Sequence, residues 1–227
     1  MRLMALAALA AAHVNVFGAA SLSDVLPRLA RSARYQFAGS DQLAFQIGEG
    51  APADLFLAAS PKYPQELYAQ HRCSKPVPFA TNTVVLVVPR ANPARIRSVY
   101  DLRRDRIRLV IGAKGVPIGD YTRRLLANLG LTSVLSNVIS EEDDVELVVA
   151  KVALGEADAG FVYRTDVKLV GNRVLRIALP RAAQPTVEYQ ACVPTASKQK
   201  TAARAYLRRL LGPTGRARLR EAGFGLP

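Results

Sequence analysis

The feature that most constrains this chain is the alternation of short apolar runs with amphipathic stretches along nearly its whole length. Residues 14–17, 55–58, 84–88, 108–111, 161–163 and 174–178 are runs of three to five apolar-rich positions, the pattern of buried strands. Between them, Leu22, Val25, Leu26 and Leu29 fall at helical spacing. So do Leu125, Leu126 and Leu129, and then Leu147, Val148, Lys151 and Val152, ahead of a stop at Gly155. Strands that alternate with helices pair mostly in parallel, because the helix carries the chain back to the starting edge of the sheet.

At 227 residues, half of them hydrophobic, the chain can bury a sizeable core, and two lobes of about 100 residues each fit its length. No repeat and no Gly/Ser-rich linker divides it. Two lobes would therefore be joined by extended crossovers, expected near 79–85 and 187–193. This gives a first lobe from 13–80 plus 190–227 and a second from 81–189. The C-terminal helices, expected at 201–211 and 214–222, return to the first lobe.

The N-terminus has one basic residue, Arg2, then an apolar run over 3–12 ending in Ala10-Ala11-Ala12. This is similar to the core and cleavage site of a secretory signal, although short, and 1–12 is expected to be such a segment; an ordinary helix is the alternative. No later stretch approaches the roughly 18 apolar residues of a membrane-spanning helix. Cys73 and Cys192 fit neither a disulfide-dense scaffold nor a zinc cluster. Two buried free thiols are the simpler expectation, with a single bridge as the alternative in an oxidising compartment. With His13 and His71 as the only histidines, no metal site for a free cation is expected.

Lys+Arg 31 against Asp+Glu 18 gives a net charge of +13, which favours an anionic partner. The densest basic group, Arg204, Arg208, Arg209, Arg216, Arg218 and Arg220, lacks interleaved aromatics. It reads as a solvated helix face, and no nucleic-acid partner is expected.

Three places combine small or polar residues with a helix start, where free backbone N–H groups meet an anion. The first is Phe17-Gly18-Ala19-Ala20-Ser21-Leu22-Ser23-Asp24, where Ser21 could equally be an N-cap with Asp24 completing a capping box. The second is Phe37-Ala38-Gly39-Ser40-Asp41-Gln42-Leu43, where Ser40 opens a helix reaching Gly48 and capping is again a sufficient account. The third is Val116-Pro117-Ile118-Gly119-Asp120-Tyr121, a Pro-Gly turn presenting the amides of Ile118 and Gly119.

Between and after these come Gly50-Ala51-Pro52-Ala53-Asp54-Leu55-Phe56 and Gly160-Phe161-Val162-Tyr163. In order and spacing, the set resembles the periplasmic molybdate-binding proteins of ABC transporters, whose pattern runs AASL, GS, GAPADLF, VPxG, GxVY. The resemblance extends from about Val14 to Val193. It implies an α/β, two-lobed periplasmic-binding-protein fold of type II, each lobe a mostly parallel sheet flanked by helices, with the ligand in the cleft between lobes.

The resemblance further implies an oxyanion, molybdate or tungstate, held by the hydroxyls of Ser21, Ser40 and Tyr163 and by backbone amides at Ile118 and Val145. Taken alone, Tyr163 would read as a core or surface tyrosine. The implied partner is a membrane permease of an ABC transporter, the implied location periplasmic, the implied state a monomer without a cofactor. Ile118 stands where the family often has alanine, and the stretch 31–37 is shorter than the family pattern, which implies a trimmed first lobe.

Donors without a buried cation make chemical sense for an oxyanion, since each charge-assisted hydrogen bond contributes about 1.5–3 kcal/mol and no cation is desolvated. Four carboxylates, Glu141, Glu142, Asp143 and Asp144, precede Val145; one is expected to cap the helix and the others to face water. Arg164, next to Tyr163 on a strand, should point to the opposite face. Asp54 is expected to support the site by hydrogen bonding.

Three other readings compete. An enzyme would need a nucleophile–base or metal cluster, which the chain does not display. The sensing half of a transcription regulator would need a DNA-reading helix-turn-helix, for which the start of this sequence leaves no room. A different ligand, sulfate, phosphate, chromate or a small organic anion, would keep the binding role and depend on the pocket's radius.

Overall fold

The computed structural model describes residues 13–227, so the expected signal segment at 1–12 lies outside the described residues. In chain order the elements are β1 (Asn15–Ala19), α1 (Leu26–Leu29), β2 (Arg34–Ala38), α2 (Ser40–Gly48), β3 (Leu55–Ala58), α3 (Lys62–Ala69) and β4 (Val77–Asn82). They continue with β5 (Val84–Pro89), β6 (Leu109–Gly112), α4 (Pro117–Asn128), β7 (Val138–Glu142), α5 (Val145–Ala153), β8 (Ala159–Tyr163), α6 (Val167–Val170), β9 (Val174–Ile177), β10 (Val187–Cys192), α7 (Lys200–Leu211) and α8 (Pro213–Ala222). No helix among the described residues is long and apolar enough to cross a membrane.

The strands form two five-stranded sheets, β2-β1-β3-β10-β4 and β7-β6-β8-β5-β9. In the first, β1 pairs in parallel with β2 and β3, while β10 runs antiparallel to β3 and β4. In the second, β6 pairs in parallel with β7 and β8, while β5 runs antiparallel to β8 and β9. Each lobe is thus an α/β sheet with one reversed strand. Those reversed strands, β5 and β10, are the ones that immediately follow a passage of the chain from one sheet to the other.

The helices follow the apolar periodicity. On α5, Val145, Val148, Val149 and Val152 are buried at i, i+3, i+4, i+7, and on α4 the buried positions include Ile118, Tyr121, Thr122, Leu125 and Leu126. α5 ends as expected: Gly155 takes φ +76°, a left-handed conformation that costs a residue without Cβ nothing, and its N–H reaches Val152 O. The stretch from Leu22 to Leu29 departs from expectation. All four of its apolar residues are buried, but a 3₁₀ turn at Ala20–Leu22 and the single-turn α1 replace one continuous helix. Pro27 has no N–H to donate to the Ser23 carbonyl, so a helix through both halves would be interrupted there.

Of the expected crossovers 79–85 and 187–193, residues 79–82 belong to β4 and 187–192 to β10, strands paired to one another, and the chain passes between the sheets at Thr83 and over 178–186. The polar residues of β4 and β10 hid them from a search for apolar runs. β7 was also missed, an edge strand on which only Glu142 is buried.

The expectation of two free thiols is corrected: Cys73 and Cys192 form a disulfide with Cα atoms 5.9 Å apart. β10 runs antiparallel beside β3, and Cys73 bridges to Pro194 just beyond β10, which brings the two cysteines together across 119 residues of sequence. The basic residues of α7 and α8 are solvated as expected, with Arg204, Arg208, Arg209, Arg218 and Arg220 exposed and Arg216 half-buried.

Candidate functional site

Ser21, Ser40, Ile118, Val145 and Tyr163 all line one small cavity, with a free volume of about 10 Å³. Ala19, Ala20, Ala38, Gly39, Ala59, Val116, Pro117 and Asp144 complete its wall. Its floor is therefore built from the C-terminal ends of β1 and β2 and the starts of the turn or helix that follows each strand. The opposite side is built from the starts of α4 and α5 and the end of β8. This is where an open α/β sheet places its ligand, because strand ends and helix N-termini converge there.

Of the four helical starts at the cavity, three have no side-chain cap: the 3₁₀ turn after Ala19, α2 after Gly39, and α4 after Val116. The first-turn N–H groups of a helix have no intrahelical acceptor, so the amides of Ile118 and Gly119, of Ser40, and of Val145 at α5 can donate to a ligand and carry the positive end of the helix dipole. Only α5 is capped, by Asp144, whose Oδ1 accepts from Leu147 N at 3.0 Å.

The serines do not cap their helices. Ser21 lies inside its 3₁₀ turn, and Asp24, the proposed capping partner, instead pairs with Arg28. Ser40 Oγ accepts a hydrogen bond from Ala59 N at 3.0 Å. That bond occupies an acceptor site on the oxygen and leaves the hydroxyl proton free to be donated elsewhere. Tyr163 is 1% exposed, and its hydroxyl has no hydrogen-bond partner among the described residues. Burial holds its ionisation well above the usual tyrosine range, so it is a neutral donor.

The carboxylates ahead of Val145 mostly have partners. Glu141 pairs with Arg123 at 2.6 Å and Glu142 with Lys151 at 2.6 Å. Glu142 is buried, which corrects the expectation that all but the cap face water; its neighbour Lys151 on α5 supplies the charge that burial requires. Asp143 is exposed, and Asp144 is the one charged residue lining the cavity among the described residues. Arg164 points away as expected and donates to Gly223 O at 2.6 Å. Asp54 is buried, but it accepts from Asn15 N at the start of β1 and from Ser197, at the opposite end of the strands from the cavity. It supports the sheet and not the site directly.

The lobes are in contact across the cleft. Ser23 on the first-lobe side donates to the Glu146 carboxylate on α5, and Tyr63 of α3 donates to the Gly115 carbonyl. A Cβ at Gly39 would collide with the Asp143 carbonyl. Behind Tyr163, Asp166 is fully buried and accepts from Tyr163 N at 2.8 Å; burial pushes its carboxyl up to about 8. Asp166 and two polar residues behind Ser21, Tyr189 and Asn82, escaped the sequence reading. Their only signal was a polar residue inside an otherwise buried strand or turn.

The cavity between the two α/β lobes is thus lined by three hydroxyl-bearing residues, by the first residues of α4 and α5, and by one carboxylate, Asp144. The chain matches the family model described as bacterial extracellular solute-binding protein over residues 14–225, and it belongs to that family. It is 34% identical over 227 aligned residues to the molybdate-binding protein ModA of Mycobacterium tuberculosis, with 96% of this chain and 86% of the relative covered. Its fold matches the periplasmic molybdate-binding protein of Azotobacter vinelandii with TM-score 0.85 at 22% identity, over 95% of this chain and all of that one. It also matches the sulfate-binding protein SubI of Mycobacterium tuberculosis with TM-score 0.78 at 18% identity, over 93% of this chain and 86% of that one. The curated relatives are named as binding proteins and not as enzymes.

Proposed function

We propose that this chain binds molybdate, and tungstate with it, outside the cytoplasmic membrane and delivers the ion to the permease of an ABC transporter. The observation that carries this reading is the convergence of Ser21, Ser40, Tyr163 and the first-turn amides at Ile118 and Val145 on one cavity, with the Tyr163 hydroxyl buried and unpaired. A buried donor without an acceptor costs about 1–3 kcal/mol, and an oxyanion offers the acceptor that removes the cost. The free volume of the cavity, about 10 Å³, is far below the roughly 300–1,000 Å³ of sites for drug-sized ligands. That supports a compact inorganic ion over a bulky organic anion. The 34% identity to a molybdate-binding protein supports the choice among such ions.

In this reading the protein is a monomer with no cofactor and no catalytic role. The lobes, expected as 13–80 plus 190–227 and 81–189, close on the ion by bending where the chain passes between the sheets, at Thr83 and over 178–186, and the permease reads the closed form. The second reading is a protonated oxyanion such as hydrogen phosphate, favoured by the presence of one potential acceptor, the Asp144 carboxylate, in the lining.

Calorimetric titration with molybdate, tungstate, sulfate and phosphate, alongside a Ser40→Ala variant, tests the proposal. Tight molybdate or tungstate binding that weakens sharply in the variant supports ligand and site together. Heat from phosphate alone selects the second reading, and unchanged molybdate affinity in the variant removes Ser40 from the site.

A further inference from the structure

We infer that Asn82 and Tyr189 form a positioning relay that aims the Ser21 hydroxyl proton into the oxyanion cavity. Neither residue lines the cavity, and the inference rests on the proposal that Ser21 is an oxyanion ligand. The direction of the relay follows from its fixed end. Thr83 N donates to Asn82 Oδ1 at 2.9 Å, which settles which end of the amide is the oxygen. Asn82 Nδ2 therefore faces Tyr189 Oη at 3.3 Å and Thr165 Oγ1 at 2.9 Å as a donor.

Tyr189 is fully buried, and among the described residues the remaining partner of its hydroxyl is Ser21 Oγ at 2.9 Å. With the Asn82 amide donating to the phenolic oxygen, the Tyr189 proton has Ser21 as its acceptor; the reverse assignment would leave a buried phenol proton with none. Ser21 Oγ then accepts, and its own proton is left to be given to a ligand. The Tyr189 ring is held by edge-on packing against Phe79, Tyr163 and Phe224, at centroid distances of 5.9, 5.9 and 5.4 Å, so the hydroxyl cannot swing away.

The relay also ties the site to both passages between the sheets. Asn82 is the last residue of β4, separated from β5 by Thr83 alone, and Tyr189 sits on β10, the strand by which the chain returns. Through Thr165 the same amide touches the second lobe. Ser21 is thus aligned by groups whose mutual distances depend on how the lobes are set.

A double-mutant cycle between Tyr189→Phe and Ser21→Ala, read by calorimetric titration with molybdate, tests this. Tyr189→Phe alone should weaken binding roughly threefold to tenfold, the range for loss of one buried hydrogen bond. In the Ser21→Ala background the same change should cost less than roughly twofold, because the hydroxyl acts only through Ser21. Unchanged affinity in Tyr189→Phe, or an equal loss in both backgrounds, overturns the relay.

Thermal unfolding without ligand checks that each variant folds, and Asn82→Ala carries the same test from the far end should Tyr189→Phe not fold. If wild-type protein ignores molybdate but takes up sulfate or phosphate, the cycle is run with that ion: the ligand assignment then fails while the relay is still judged. If none of these ions binds, both fall.

Discussion

Replacing Tyr163 by Phe should move stability and affinity in different directions, and the structure supplies both magnitudes. The side chain is 1% exposed, and its ring packs edge-on against Tyr121 and Tyr189 at 6.4 and 5.9 Å, contacts that Phe keeps. Its hydroxyl, however, has no partner among the described residues. Removing it from the ligand-free protein breaks no hydrogen bond and relieves a buried polar group worth up to about 1–3 kcal/mol if the lobes stay closed. The melting temperature should hold or rise, by about 2–4 °C for each kcal/mol recovered in a chain of this size.

Bound to an oxyanion, the same hydroxyl makes a charge-assisted hydrogen bond, and losing one of about 1.5–3 kcal/mol weakens binding roughly 10- to 150-fold. Scanning calorimetry without ligand and isothermal titration with molybdate read the two effects separately. A variant that melts lower yet binds as tightly as wild type would refute the reasoning, since it would make Tyr163 a structural residue with a hidden partner.

Three further outcomes are expected. Gly39→Ala places a methyl group against the Asp143 carbonyl across the cleft and against Asp41 Oδ1, so it should weaken oxyanion binding by obstructing closure; small-angle scattering should show less compaction on adding ligand than in wild type. Reducing the Cys73–Cys192 bridge, or replacing both cysteines by Ala, releases a closure spanning 119 residues and should destabilise the fold by up to about 4–5 kcal/mol, read by denaturant titration with and without reductant. Asp166 is raised by burial from the ordinary carboxylate range to about 8, so the folded state holds its proton where the unfolded chain has lost it. Stability should therefore decline from about pH 4 to about pH 8 and then level off, and Asp166→Asn should flatten that slope in urea titrations across this range.

Local pattern made a large part of this protein legible. The buried strands 55–58 and 84–88 and the helix ending before Gly155 are visible in sequence because burial on both faces or on one helical stripe leaves a periodic apolar signature. The five expected site residues were named for a different reason, their match in order along the chain to a family pattern, and the fold brings all five to one cavity. What sequence could not supply is which ends meet. The pairing of β10 with β3 and β4 decides that Cys192 reaches Cys73 and that Tyr189 reaches Ser21, 168 residues away. Likewise Ser21 and Ser40 look like helix caps until the fold brings Tyr189 and the Ala59 amide to their oxygens. Periodicity records whether a side chain is buried, but hydrogen-bond partners come from distant segments, and only tertiary packing selects them.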